Sequence, residues 1–566
     1  MASTSDAANG SQSVPGLLDR EAIVAKPGFN RWMVPPAALC IHLCIGMAYG
    51  FSVFWKPLQA ALLDANGNVI PECSAGAVTF GEKALGTLRA LTATDCNWSQ
   101  FDLGWMYTFF FVLLGVSAAI WGGWLERAGP RKAGLVSTLC WCGGLLIAAF
   151  GVYTHQLWLM WLGSGVIGGI GLGLGYISPV STLIKWFPDR RGMATGMAIM
   201  GFGGGAMIGS PLATYLMDNV FKTATDPGVW QTFVAMAVIY TVFMTIGSFR
   251  YRIPPPGWKP EGWTPPVSAK SMITNNHVHL KDAHKTPAFW LIWTALCLNV
   301  SAGIGIIGAA SPMLQETFGG ALAGAPELGY HEMKESAAIA ARAAAVGAGF
   351  VGLISLFNIF GRFVWASSSD YLGRKNTYFI FFTLGAALYV LAAFAADWKV
   401  MSLFVLCFCI IASMYGGGFS TVPAYLADIF GTRYVGAIHG RLLTAWSTAG
   451  IVGPVIVNYL HDTRYAEGIP PDQLYGQIFY ILAGMLVVGF IANMLVRPVD
   501  PKWHMAEAEV PTEQAKVATQ AGDAGGSYGI GKGGLDAQAA AFWTLVGVPL
   551  AWGVWQTLEK ALVLFW

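Results

Sequence analysis

One arginine of this sequence stands inside an apolar segment. Arg362 lies in the run N-I-F-G-R-F-V-W over 358–365, about seven residues from the polar end of that segment, or roughly 10 Å along a helix. A basic side chain in hydrocarbon costs at least about 3 kcal/mol, so a function is expected of it. Its planar guanidinium can bind a carboxylate through two parallel hydrogen bonds. Arg362 is therefore a candidate carboxylate-binding residue; the alternative is an arginine that reaches the surface or pairs with Asp370.

The composition indicates what positions this arginine. Hydrophobic residues make up 55% of the 566 residues and charged residues 11%, and the mean hydropathy is +0.53. A soluble globular protein carries roughly twice that charge density. The net charge of +2 comes without a basic patch interleaved with aromatic residues, so no nucleic-acid partner is predicted. These values exclude a soluble multidomain protein and predict an all-α protein whose partner is the lipid bilayer.

Apolar segments long enough to span a bilayer fall into two sets of six. The first set covers 33–62, 101–125, 132–154, 157–187, 191–217 and 229–250, and the second covers 288–318, 343–369, 376–396, 400–427, 436–460 and 473–496. The predicted domains are a disordered tail (1–30), a first half (31–250), a linker (251–287), a second half (288–497), a flexible linker (498–536) and an extra transmembrane helix (537–566). The alternative for the last segment is a helix lying flat at the interface.

The short loops differ in charge between the two sides of the predicted bundle. One side carries Arg127, Arg131, Lys132, Lys185, Arg190, Arg191, Arg374, Lys375 and Arg433; the other carries Lys222, Lys399 and Arg464. Basic loops face the cytoplasm, so the N-terminus and both linkers are predicted to be cytoplasmic, in a bacterial cytoplasmic (inner) membrane. Cys73 and Cys96 then share an outer loop, where a disulfide is plausible but not decided by the sequence.

The two halves repeat a short charged pattern. The loop G-G-W-L-E-R-A-G-P-R-K at 122–132 and the loop A-S-S-S-D-Y-L-G-R-K at 366–375 each contain an acid, a glycine and a basic pair. Duplicated halves around a central site are common in alternating-access carriers. An acid at one helix end can pair with a basic residue of a neighbouring helix, and the pair must break when the halves move. The candidate latch residues are Glu126, Arg131, Lys132, Asp370, Arg374 and Lys375.

These loops resemble the signature of the major facilitator superfamily, over essentially residues 30–497. The stretch K-W-F-P-D-R-R-G-M-A-T-G-M-A-I-M-G-F-G-G-G-A-M-I-G-S-P at 185–211 resembles the oxalate/formate antiporter family, which is related to the monocarboxylate transporters. The runs at 46–58 and 415–425 are similar to the same family. The resemblance implies a bundle of six plus six helices and a cleft lined by aromatic residues. The aromatic candidates are Tyr49, Tyr107, Tyr176, Tyr415, Phe419 and Trp446.

The position of Arg362 resembles the arginine of the eighth helix that binds the substrate carboxylate in both related families. Animal monocarboxylate transporters carry an Asp one turn earlier, where this sequence has Asn358. No Asp or Glu stands in the middle of an apolar segment, so a bound anion would supply the charge that Arg362 lacks. A loaded carrier should then reorient more readily than an empty one, which favours exchange over proton symport. His42 remains an alternative proton carrier, or a packed neutral residue.

A second cation would decide the size of the substrate. The oxalate-handling relatives place a Lys in the eleventh helix, and the matching position here is Trp446. Arg441 is the nearest basic residue, and it serves either as a second clamp for oxalate or as a partner of Asp428. The departure at Trp446 favours a monocarboxylate such as formate, lactate or pyruvate.

The remaining motifs do not indicate an enzyme. The run G-S-G-V-I-G at 163–168 lies inside a long apolar segment without a preceding strand, so it is interpreted as helix packing rather than a dinucleotide site. The three histidines of the central loop (His277, His279 and His284) are interpreted as solvated. No metal site and no cofactor are predicted, and the oligomeric state is left open. The prediction is a secondary carrier of small carboxylates; a membrane-embedded enzyme or sensor is the rival class.

Overall fold

The computed structural model describes residues 16–64, 66, 68–76, 80–223, 226–263, 272–274, 276–505 and 536–561. Most of the predicted linker 498–536 and the last five residues of the extra helix lie outside these ranges, as do residues 1–15 of the predicted tail. Residues 16–22 are exposed, whereas parts of 23–30 pack against the bundle. Ile23 is buried, and the Ala25 N–H donates to the Ile253 carbonyl at 3.0 Å.

Thirteen helices in the described ranges are long and apolar enough to cross a membrane. Spans one to six are Arg31–Phe51, Phe101–Ala128, Pro130–Tyr153, Leu157–Trp186, Arg191–Phe221 and Val229–Arg250. Spans seven to twelve are Pro287–Ala323, Ala338–Leu372, Arg374–Asp397, Met401–Phe430, Val435–Tyr465 and Pro471–Leu495, and span thirteen is Ala537–Glu559. The predicted all-α bundle of six plus six helices with one extra helix is confirmed.

The two halves make the same turn at the same place. Gly129 separates spans two and three, and Gly373 separates spans eight and nine; both have φ +85°, a conformation that favours glycine. Pro130 then occupies the first turn of span three, where its missing N–H would have had no helical partner. We call this end of the bundle the basic end, because it carries the two repeated loops. It is the end predicted to face the cytoplasm.

Span one is shorter than the predicted segment 33–62. The chain tightens into a 3-10 helix over Gly46–Phe54, and the membrane span ends at Phe51. Gly46 explains why the chain can approach span five so closely, since an added Cβ would clash with the Phe202 carbonyl. An added Cβ on Gly205 of span five would lie 2.6 Å from the Cα of Gly46. Such small residues allow two membrane helices to meet backbone to backbone.

The outer loop and the extra helix also take definite positions. Cys73 and Cys96 form a disulfide with a Cα–Cα distance of 5.0 Å. The pair ties the middle of the loop to the residues just before span two. Span thirteen packs against spans five and eight, and its length and composition are those of a membrane span.

The packing between spans one and five generates a testable difference between two glycines. We expect Gly205→Leu to lower the thermal stability of the purified protein, because overpacking of a close contact costs about 1–3 kcal/mol. Gly484→Leu in span twelve is the control, since nothing lies within 4 Å of an added Cβ there. The melting temperature in detergent measures both changes. Equal melting temperatures for the two variants would contradict the close approach of spans one and five.

Candidate functional site

Arg362 lies in the interior of the bundle. Its side chain is 0% exposed, which excludes an arginine that reaches the surface. Its Nε donates to Asn358 Oδ1 at 3.0 Å and its Nη1 to the Ile199 carbonyl at 3.4 Å. Its Nη2 has no hydrogen-bond partner among the described residues. Asp370, the alternative partner, pairs elsewhere.

Two glycines make the space that the guanidinium occupies. A Cβ on Gly203 of span five would lie 3.0 Å from Arg362 Nε. A Cβ on Gly416 of span ten would lie 2.5 Å from Asn358 Oδ1 and 3.0 Å from Arg362 Cγ. The glycine runs around these two positions therefore serve the site as well as helix packing. The two spans come from opposite halves, so the arginine sits at the seam between them.

Aromatic rings enclose the same region, and Trp446 of span eleven lies at their centre. Its ring centroid is 6.3 Å from Tyr49, 5.5 Å from Phe111, 5.4 Å from Tyr176, 5.5 Å from Phe202 and 4.3 Å from Phe419. The guanidinium carbon of Arg362 lies 6.0 Å from the Phe202 ring and 5.4 Å from the Phe419 ring, within the range of cation–π attraction. We call these six rings the aromatic cage.

The structure brings most of the sequence-predicted residues together. Tyr49, Tyr176, Phe419 and Trp446 belong to the cage. Tyr415 adjoins it, because its ring lies 5.2 Å from Phe419 and its hydroxyl 3.5 Å from that of Tyr49. Tyr107 lies one ring further out.

Sequence reasoning missed two members of the cage. Phe111 lies one helical turn after Tyr107, with ring centroids 4.8 Å apart. Phe202 stands within the glycine run of span five. Helical spacing from Tyr107 could have indicated Phe111, whereas no sequence signal singles out Phe202.

Three hydrogen-bond donors in and beside the cage lack a partner among the described residues. They are Arg362 Nη2, Tyr176 Oη and Trp446 Nε1, and all three side chains are 0% exposed. An unsatisfied buried donor costs about 1–3 kcal/mol. The hydroxyl oxygens of Tyr49 and Tyr176 lie near enough to the guanidinium to interact with its charge and to act as acceptors, while the Tyr176 O–H keeps no acceptor of its own in the described part of the chain. The cage is therefore suited to a small ligand that carries negative charge and several acceptor oxygens.

Two buried histidines flank Tyr176. His42 Nε2 lies 3.1 Å from the Tyr176 carbonyl, and its Nδ1 contacts the Ala198 carbonyl. The ring of His439 lies 5.9 Å from that of Tyr176, and both of its nitrogens lack hydrogen-bond partners within the described ranges. Among those residues no carboxylate pairs with Arg362.

A charge network joins several helices at the basic end. Asp428 of span ten accepts from Arg191 of span five at 2.9 Å and from Arg374 of span nine at 3.3 Å. Arg374 also donates to Asp370 at 2.6 Å. The Arg191–Asp428 pair connects the two halves directly. We call Arg191, Asp370, Arg374 and Asp428 the latch network.

Asp370 makes a second connection between the halves. Its two carboxylate oxygens accept the backbone N–H groups of Gly192 and Met193 at 2.8 and 2.9 Å. These N–H groups open span five, where the helix dipole favours a negative charge. Gly192 fits closely, since an added Cβ would lie 2.6 Å from Arg374 Nη1.

The other candidate latch residues bind within their own halves. Glu126 pairs with Lys185 at 2.6 Å, and Arg131 donates to the carbonyls of Leu17 and Phe249 at 2.7 and 3.2 Å. Lys375 donates to the carbonyls at 494 and 496. Lys132 makes no hydrogen bond or ion pair with the described residues that assigns it a role. Of the six candidates, Asp370 and Arg374 belong to the latch network.

The expected pairing of Arg441 with Asp428 is wrong. Arg441 donates to the Leu280 carbonyl at 2.6 Å, and its Nη1 lies 2.8 Å from His284 Nδ1. It therefore holds the segment before span seven against span eleven. Asp428 already forms ion pairs with two other arginines, Arg191 and Arg374.

The structure has two six-helix halves, a buried charge at their seam and an ionic contact between the halves at one end. This combination is typical of a membrane carrier. The chain belongs to the Major Facilitator Superfamily, whose family model matches residues 73–355 and 300–565. It is a multi-pass membrane transporter and not an enzyme.

Known transporters resemble this chain at low identity. The oxalate:formate antiporter of Oxalobacter formigenes is 28% identical over 290 residues, which are 51% of this chain and 59% of that protein. Apicoplast pyruvate carrier 1 of Toxoplasma gondii is 24% identical over 493 residues, covering 76% and 83%. Among solved structures, the Escherichia coli fucose:proton symporter FucP matches with a TM-score of 0.52 and 12% identity over 83% of this chain and 100% of that one. This last likeness shows the fold alone.

The latch network predicts how one carboxylate affects access from the basic end. We expect Asp428→Asn to increase the maleimide labelling rate of an Ala437→Cys probe by about tenfold or more, because removal of one partner of a buried ion pair costs about 3–5 kcal/mol. Ala437 is a suitable probe, since it is 1% exposed at that end. Asp282→Asn, which breaks only the exposed pair with Lys285, is the control. An unchanged rate in Asp428→Asn would show that the network does not hold this end closed.

Proposed function

We propose that this protein carries small monocarboxylates across the membrane and that Arg362 binds the carboxylate. The observation that carries the proposal is the free Nη2 of a fully buried guanidinium. A carboxylate oxygen would satisfy that donor, and the negative charge would offset the cost of a cation in hydrocarbon. Asn358 supports the role, because it orients the guanidinium through Nε and leaves its end free for a ligand.

The surroundings of Arg362 favour a small substrate with one carboxylate. Tyr176 Oη and Trp446 Nε1 are further unsatisfied donors of the cage, which suits a formate-, lactate- or pyruvate-sized anion. The rival proposal of oxalate requires a second cation. Arg441 is engaged by Leu280 and His284, which argues against that role. The similarity to a pyruvate carrier and to an oxalate:formate antiporter supports the carboxylate class.

Transport is proposed to proceed by alternating access. The latch network lies at the proposed cytoplasmic end and must break for the substrate to leave there. Mutual rocking of the halves would separate Asp428 from Arg191 and Asp370 from the start of span five. Span eight then carries Arg362 from one access route to the other.

Exchange is the proposed mode of coupling. Without a ligand, Arg362 remains a buried charge with no acid partner among the described residues, so reorientation of the empty carrier is expected to be slow. A bound carboxylate removes that penalty. The alternative is proton symport, for which the buried His42 and His439 are the candidate groups.

Substitution of Arg362 tests the binding role. We expect Arg362→Gln to abolish uptake of labelled formate, lactate and pyruvate into proteoliposomes. Arg362→Lys should raise the half-saturation concentration about tenfold, because a lysine keeps the charge but loses the two parallel donors, a difference of about 1.4 kcal/mol.

Arg342→Gln is the matched control, since Arg342 is an exposed arginine near the start of the same helix. Uptake that survives Arg362→Gln as well as it survives Arg342→Gln would remove Arg362 from the site. Inclusion of oxalate as a fourth substrate distinguishes the rival carboxylate class.

The mode of coupling is tested by loading the vesicles with unlabelled substrate. We expect trans substrate to accelerate uptake of the labelled anion, because both half-cycles then use the loaded carrier. A protonophore should leave this exchange unchanged, and so should His439→Gln. Uptake that requires a proton gradient and is lost in His439→Gln or His42→Gln would favour proton symport instead.

A further inference from the structure

Span thirteen lies over the seam between the two halves. It contacts span five of the first half and span eight of the second half, with a smaller contact to span one. Spans five and eight are also the helices that supply Gly203 and Arg362 to the site. The extra helix therefore touches the two helices, one from each half, that supply these residues.

The start of span thirteen is fastened to the first half. Asn30 donates to Asp536 at 3.2 Å, and Trp543 Nε1 donates to the Trp32 carbonyl at 3.1 Å. The pKa of Asp536 lies below its ordinary value, because the Ala539 N–H and then Asn30 donate to its carboxylate. These contacts lie at the basic end, close to the start of span one.

The far part of span thirteen contacts both halves. A Cβ on Gly553 would lie 3.1 Å from the Met207 carbonyl of span five. Pro211 explains this approach, because its missing N–H leaves that carbonyl without its usual helical partner. On the other side, a Cβ on Gly352 of span eight would lie 3.2 Å from Thr557 Cγ2.

A small apolar cluster joins these contacts. Met207 of span five packs with Leu356 and Ile359 of span eight, and Val554 of span thirteen packs against them. Gly553 lies seventeen residues after Asp536, which is about 25 Å along a helix. The cluster begins beside the site, since Ile359 lies three residues before Arg362, and the contacts at Gly553 and Gly352 continue it toward the end opposite the latch network.

We propose that span thirteen is a brace that holds the halves together at the end opposite the latch network. Opening of that end requires span five to move away from span eight, and the brace binds both. The full burial of Arg362, Tyr176 and Trp446 fits a carrier that is closed at both ends. The brace lowers the fraction of carriers open to the side opposite the basic end, and so sets how often the site is accessible from there.

The test measures the distance between spans five and eight in the full-length chain. Spin labels at Tyr215→Cys and Arg342→Cys report on that end, because both side chains are exposed there. We expect Gly553→Leu, which wedges the brace from span five, to shift the distance distribution toward longer values. The ratio of open to closed carriers should rise about tenfold, a change of about 1.4 kcal/mol.

Gly352→Leu provides an independent variant from the other side of the contact, since an added Cβ there meets only Thr557 of span thirteen. Gly547→Leu on span thirteen is the control, because nothing lies within 4 Å of an added Cβ. A control sample without the two introduced cysteines measures the spin-label signal that comes from the native cysteines.

A longer distance in Gly553→Leu and Gly352→Leu, with none in Gly547→Leu, supports the brace. An unchanged distribution in both wedge variants overturns it, and so does an equal shift in the control. The measurement uses no substrate, so its outcome is independent of whether the carried anion is a monocarboxylate.

Discussion

A guanidinium buried in hydrocarbon is the constraint on which the rest of this structure depends. Arg362 satisfies Nε and Nη1 within the protein and leaves Nη2 for something else. Gly203 and Gly416 lie where a larger side chain would collide with Arg362 or with its partner Asn358. Aromatic rings rather than acidic side chains surround the guanidinium. The protein thus stabilises the cation only partly. In the proposed function, a bound anion would supply the stabilisation that the protein leaves out.

The latch network shows how the repeated motif works differently in the two halves. In the second half, Arg374 pairs with Asp370 and Asp428, and Asp370 accepts the backbone N–H of Gly192 at the start of span five, so the motif reaches across the seam. In the first half, Glu126 pairs with Lys185 of its own half. The charged residues of the motif therefore occupy the same positions in both halves but bind different partners. Ionic contact between the halves is concentrated on one side, around Asp428, where two arginines meet a carboxylate that is 10% exposed.

The two halves meet through different kinds of interaction at the basic end and further along the bundle. At the basic end the halves meet through charged hydrogen bonds, which are directional and are lost within a small movement. Toward the other end spans five and eight meet through apolar contacts, and span thirteen adds to them. Apolar contact is not directional, so it can yield gradually as the halves move. The latch network should respond to salt, and the brace should respond to side-chain volume. Charge substitutions therefore probe the latch network, and glycine substitutions probe the brace.

Hydropathy and residue type in the sequence alone determined the thirteen spans, the two halves and the isolated Arg362, because an apolar run and a stranded charge are local properties of the chain. Partners were decided only by the tertiary structure. Arg441 binds Leu280 and not Asp428, and Phe202 completes the cage from another helix. Residue spacing predicts neighbours within one helix. It does not predict the rotation of one helix against another, which places side chains hundreds of residues apart in contact. The position of span thirteen over the seam depends on the same packing.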